Sequence, residues 1–179
     1  AQIHQWLGES DADSPDRRRL LELARQALDA GSDRLPELRW SEGCLRVWCG
    51  WIVSVSEPAE DWSLPEEVVV GEPAEGDWGR LDWEAADDDP GLALGTRLFC
   101  RVSGEIESVT PLNRPQKPTN KWLQEVRIPP WWRRHLFVLH SKTEPVWVLP
   151  VGPLSAAAAT EGSTAAPGLR PIWRLSSSL

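Results

Sequence analysis

The chain has 179 residues, 41% hydrophobic and 26% charged, and its 27 Asp and Glu against 19 Lys and Arg leave a net charge of −8. That length suits one medium domain or two small ones with separate cores, and no apolar run reaches the roughly 18 residues that a membrane helix needs. Three Cys without a CxxC pair and three His without ligand spacing argue against a disulfide framework and a metal site.

The first residues, "AQIHQWLGESDAD", lack the basic start and continuous apolar core of a secretory signal, so a cytoplasmic chain is expected. Ile3, Trp6 and Leu7 have helical spacing and read as the tail of a longer helix. In "SPDRRRLLELARQALDAG" Ser14 suits an N-cap, Pro15 the first helical position and Gly31 the stop. Leu20, Leu21, Ala24, Ala27 and Leu28 are expected to form its apolar stripe. "ELRWSEGCLRVWCGWIVSV" then reads as a small sheet, with strands over 38–40, 45–48 and 51–55 and turns at 41–43 and 49–50.

From Glu57 to Pro90 thirteen carboxylates face a single Arg80, a local charge of −12. This reads as an acidic connector anchored by Trp62, Trp78 and Trp83, and "DDDP" as a solvated loop. Residues 95–179 read as a second domain. "TRLFCRVSGEIESV" is a strand or hairpin, and "HLFVLH" and "PVWVLPV" are strands joined by the turn "SKTE". "AAAATEGSTAAPG" reads as a low-complexity loop and "LRPIWRL" as a last strand. The expected fold is α+β: a small helix-plus-sheet domain over 1–56, the connector over 57–94, and a mainly β domain, sandwich- or barrel-like and carrying a short helix, over 95–179. Most of the twelve Trp are read as core.

Between Arg97 and Pro145 the charge inverts, with nine basic residues against four acidic. A phosphate backbone responds to potential within a Debye length of roughly 8–10 Å, so a net acidic chain is compatible with RNA binding. Within this region lies "KWLQEVRIPPWWRRH". Thr119 is expected to cap a short helix that buries Trp122, Leu123 and Val126 and leaves Lys121 and Gln124 in solvent. Pro129 and Pro130 are expected to end it and hold the chain extended, with Trp131 and Trp132 on opposite sides. Guanidinium and ammonium groups on such a corner suit phosphate oxygens. In the plainer alternative Lys121 pairs with Glu125 and the arginines keep an apolar corner soluble.

This stretch is similar to the C-terminal domain of the tRNA(Ile)-lysidine synthetase family, where Gln-Glu, a gap, Pro-Pro-Trp and an arginine recur. Gln124, Glu125, Pro129, Pro130, Trp131 and Arg133 match in order. "IHQWLGESDADSPDRRRLLELARQAL" with "PELRWSEGCLRVWCGWIVSV" resembles the family's middle domain, and "GLRPIWRL" its final strand. The resemblance implies an enzyme that uses ATP, with magnesium, to adenylate the wobble cytidine of an isoleucine tRNA and then attaches lysine. Its N-terminal catalytic domain carries a Ser-Gly-Gly-x-Asp-Ser phosphate loop; no such loop occurs in this sequence.

The implied role is therefore to hold the tRNA body or acceptor stem, with no catalytic residue, metal or cofactor of its own. The implied partners are tRNA and the N-terminal catalytic domain, with no membrane and no DNA. Lys117, Lys121, Arg133 and Arg134 carry over by position, and Arg114 and Arg127 join them by charge alone. The sequence departs from the family at Asn120, where a second basic residue is usual, at Pro118, which replaces another, and at Phe137, where a proline is common. A stand-alone acidic protein-interaction module is the alternative.

Overall fold

The computed structural model describes residues 15–29, 35–41, 43–55, 63–86, 90–159 and 168–174. Residues 1–14, Ser14 among them, Gly31, Trp62, the three Asp of "DDDP" and the segment 160–167 lie outside that set. The chain divides into two compact units, Ala1–Pro58 and Ala59–Leu179.

In the first unit, helix α1 (Arg17–Asp29) starts on Asp16. The Asp16 carbonyl accepts the Leu20 amide at 3.1 Å, the first bond of the helix, and its carboxylate accepts the Arg18 amide at 3.2 Å, which satisfies one of the orphan donors of a helix start. The buried stripe is Leu20 and Leu23, with Ala27 alongside. Leu21 and Leu28, expected in that stripe, are 55% and 87% exposed. "LLELARQAL" offers two overlapping leucine rows, and packing on the sheet selects only one.

That sheet is the meander β1 (Glu37–Trp40), β2 (Gly43–Trp48), β3 (Trp51–Ser54), in that spatial order. Leu38, Leu45 and Val47 meet the helix. Cys49 (φ 50°) and Gly50 (φ 81°) both take left-handed geometry between the paired Trp48 and Trp51. This is the two-residue turn whose twist matches an antiparallel hairpin.

The second unit is built on a five-stranded antiparallel sheet. It comprises β4 (Glu67–Val69), β7 (Arg97–Val102), β10 (Phe137–His140), β11 (Pro145–Leu149) and β12 (Gly152–Pro153), ordered β12-β11-β10-β7-β4. Alternation along β10 sends Phe137 and Leu139 to one face and Leu136 and Val138 to the other. The first face packs on a three-stranded sheet of β5 (Ala74–Gly76), β6 (Gly79–Ala85) and β13 (Leu169–Arg174). Trp78 and Trp173 meet the Phe137 ring edge-on, at centroid distances of 5.2 and 6.0 Å. Trp173 Nε1 donates to the Trp78 carbonyl at 2.9 Å. The residue that departs from the family's proline thus fills the centre of the core. The second face carries a ribbon, β8 (Ser108–Val109) with β9 (Lys117–Pro118), and helix α2 (Thr119–Glu125).

The acidic stretch is not a connector along its described length. Residues 67–85 supply β4, β5 and β6, and Val68, Val70, Trp78 and Leu81 enter the core. On β6 the acids alternate with core residues and pair across to β13: Asp82 with Arg174 at 3.1 Å and Glu84 with Arg170 at 3.1 Å. The segment that follows β6 also approaches the start of β13 closely. A Cβ on Gly91 would stand 2.3 Å from Gly168 Cα, beside the Leu92–Leu169 bridge. The alanine run expected as loop begins with a helical turn, α3 (Ser155–Ala159), in which Ala156 and Ala157 are buried. No helix among the described residues is long and apolar enough to cross a membrane.

Candidate nucleic-acid interface

Helix α2 grows directly out of β9. The Thr119 amide donates to the Glu107 carbonyl at 3.0 Å, and Pro118 occupies the cap position without a side-chain cap bond. Thr119 is thus the first helical residue and not the cap, and its buried hydroxyl has no hydrogen-bond partner among the described residues. Trp122 and Leu123 are buried as expected, whereas Val126 is 38% exposed because regular helix ends at Glu125.

The stop precedes the prolines. Ile128 N–H donates to the Leu123 carbonyl at 2.9 Å and Arg127 N–H to the Gln124 carbonyl at 3.0 Å, with Arg127 at φ 61°. These bonds are those of a Schellman closure, with an arginine where glycine is usual and Ile128 packing back towards Leu123. Pro129 and Pro130 follow it as barriers to continuation. They do not hold the chain extended: Trp132 N–H reaches the Pro129 carbonyl at 3.0 Å and His135 N–H the Trp132 carbonyl at 2.9 Å, so 129–135 is two successive turns. Trp132 packs into the core under α2, and Trp131 is half-buried.

Strand β7 fixes this corner. The buried Ser103 hydroxyl donates to the Arg133 carbonyl at 2.8 Å and accepts the Leu136 amide at 3.0 Å. Gly104 N–H donates to the Arg134 carbonyl at 3.1 Å, and a Cβ on Gly104 would lie 3.0 Å from that same oxygen. Sequence reasoning missed Ser103 and Gly104; a Ser-Gly at a strand end signals a turn and nothing of its distant partner.

The six candidate cations divide into two groups. Arg114, Lys117 and Lys121 surround Glu125. Lys117 Nζ donates to Glu125 Oε2 at 2.7 Å, and Arg114 Nη1 lies 4.0 Å from the same oxygen. The Lys117 hydrogen bond holds the Glu125 carboxyl below its ordinary pKa, aided by the charges of Lys117, Lys121 and Arg114 and opposed by burial. Lys121 is exposed and forms no ion pair within 4.0 Å among the described residues. The expected pair with Glu125 is made by Lys117, eight residues away, because β9 runs into the helix.

Arg127, Arg133 and Arg134 lie on the turns. Arg133 is half-buried, its Nε donates to the Ile128 carbonyl at 2.8 Å, and burial lowers its pKa. Arg134 is exposed, and its side chain has no hydrogen bond or ion pair among the described residues. Arg101, by contrast, sits 3.8 Å from Glu105.

No group of three or more His, Cys, Asp or Glu among the described residues is arranged to hold a metal ion. Cys100 is a poor nucleophile, its thiol pushed up to about 12 first by burial and then by the charge of Glu67. In the first unit, α1 lines an open depression of about 880 Å³ with Arg17, Arg18, Arg19 and Arg25 among Glu22 and Glu37; sequence reasoning did not single these arginines out.

The fold and this corner define a mainly β domain that carries cations on a short helix and its following turns. Residues 100–173 match the family described as the TilS substrate C-terminal domain. The chain is 31% identical to the tRNA(Ile)-lysidine synthase of Chromobacterium violaceum over 94% of its own length and 39% of that protein. It is 30% identical to the tRNA(Ile)-lysidine synthase of Alkalilimnicola ehrlichii over 95% of its length and 38% of that protein. For Vibrio parahaemolyticus the values are 24%, 82% and 35%. The resemblance read in "KWLQEVRIPPWWRR" is therefore found independently. The chain spans about two fifths of the length of these relatives.

Proposed function

We propose that this chain is the tRNA-holding part of a tRNA(Ile)-lysidine synthase, and that the cations of α2 and of the 127–134 turns receive the sugar-phosphate backbone of an isoleucine tRNA. In this reading the ATP-driven modification of the wobble cytidine is performed by a catalytic segment that these residues do not include. The observation that carries the reading is the cationic corner itself, lying inside the segment that matches a substrate domain of that family. Lys121 and Arg134 are the direct phosphate ligands, since both are exposed and neither makes an ion pair within 4.0 Å among the described residues. Arg133 contributes a fixed charge from a half-buried seat, tethered through Ile128. Arg114, Lys117 and Arg127 extend the positive surface around the helix.

Phosphate contacts of this kind give log affinity falling linearly with log salt, by about 0.9 per contact on a duplex. Filter binding of the 179-residue chain to an isoleucine tRNA transcript, at several salt concentrations, tests it. A slope of about −3 to −4 is expected. Joint replacement of Lys121 and Arg134 by Ala should reduce it by about two and weaken binding roughly tenfold or more at low salt. Binding and slope unchanged in that double variant would remove the corner from the interface.

A further inference from the structure

Glu125 stands where a carboxylate does its own helix no service. It is the last residue of α2, at the end where the helix dipole is negative and cations are favoured. What surrounds it explains it better. One oxygen, Oε2, accepts from Lys117 Nζ at 2.7 Å and lies 4.0 Å from Arg114 Nη1, while the charge of Lys121 acts on the same carboxylate. A carboxylate oxygen set against Lys117 of β9 and Arg114 of the preceding loop, in the field of Lys121, is placed as a phosphate oxygen would be.

We propose that Glu125 is a built-in substitute for an RNA phosphate. In the free protein it holds Lys117 and Arg114 in place, and on binding it gives them up to the sugar-phosphate chain. This inference rests on the reading of the corner as an RNA-binding surface. Its consequence is a fixed penalty on every complex, because a phosphate must displace the carboxylate and then sit near it. A tRNA that also engages Lys121 and Arg134 overcomes the penalty, whereas a polyanion touching one or two cations does not. Lys117, with its side chain 20% exposed, is accessible enough to change partner without refolding.

The test uses the whole chain and an isoleucine tRNA transcript, with Glu125→Gln, which keeps the shape of the side chain, and Glu125→Ala as a second variant. Thermal unfolding confirms that each variant is folded. Release of the internal counter-ion should tighten tRNA binding roughly 3- to 10-fold at low salt and steepen the salt slope by about one. A protein-only scaffold role predicts the opposite: wild-type chain that binds, and folded variants that bind equally or more weakly, would overturn this inference and leave the interface standing. Failure of wild type and variants alike to bind tRNA at low salt would overturn the interface and this inference with it.

Discussion

Ser103 Oγ and the Arg133 carbonyl, 2.8 Å apart and 30 residues distant in sequence, join the end of a core strand to the turn that carries two of the candidate cations. The same hydroxyl takes the Leu136 amide at 3.0 Å, and Ser103 N–H returns a bond to the Leu136 carbonyl at 2.9 Å. Three hydrogen bonds at one buried residue thus set where the backbone of 133–136 runs. The guanidiniums of Arg133 and Arg134 inherit their position from it.

Ser103→Ala leaves the Arg133 carbonyl and the Leu136 amide without that partner at a buried site. Each unmet group costs about 1–3 kcal/mol, so urea unfolding of the variant should show a loss of at least about 2 kcal/mol. If the clamp positions the corner, tRNA affinity measured where the variant is still fully folded should also fall, although no charge has been removed. Ser103→Thr, which keeps the hydroxyl, should recover binding better than Ala.

Arg127 offers a way to separate fold from charge. It occupies the left-handed position of the helix closure at φ 61°, where a side chain costs about 1–2 kcal/mol. Arg127→Gly should therefore raise stability by about 0.5–1 kcal/mol after the entropy of the freer unfolded chain is deducted. The same change deletes a cation next to α2, so the salt slope for tRNA should shrink by up to about one contact. A variant that gains stability while losing affinity is the signature; loss of stability would mean that the arginine side chain supports the closure.

Much of this was legible from local pattern. The hairpin over 43–54 follows from period-two alternation around Cys49-Gly50, and the pair β10–β11 follows from two apolar runs around "SKTE". The Trp122-Leu123 face of α2 follows from helical spacing. What escaped depends on partners far along the chain. The acidic residues of β6 look like a solvated run until β13, some 90 residues later, supplies Arg170 and Arg174 to pair with them. Lys117 is eight residues from Glu125, beyond any helical pairing rule, and meets it only because a strand turns straight into the helix. The two prolines suggested an extended corner, yet the Schellman bonds had already turned the chain at Arg127. Which leucines of α1 are buried was undecidable from spacing alone, since either row fits a helix and only the sheet beneath it distinguishes them.

The first unit has its own electrostatic latch, and its pH dependence has a definite sign. Glu37 on β1 accepts Arg39 Nε at one carboxylate oxygen and Arg46 Nε, on the adjacent strand, at the other, the latter at 2.5 Å. The Arg39 hydrogen bond, then that of Arg46, holds the carboxyl below its ordinary value, with burial opposing. A depressed folded-state pKa means that the unfolded chain takes up the proton first, at about pH 4.3. The stabilisation is thus complete above that pH and lost as pH falls through the lower folded value. Glu37→Gln should lower the stability of this unit near neutrality by about 1 kcal/mol, the upper end for a solvent-accessible pair. The difference should shrink as pH falls below the unfolded value and vanish once the folded-state carboxyl is itself protonated. Amide exchange at the buried Leu45 and Val47 reports on this unit separately from the second. Equal protection in the two proteins at neutral pH would show that the latch contributes nothing, and a gap that persists undiminished in acid would show that the lost interaction is packing and not charge.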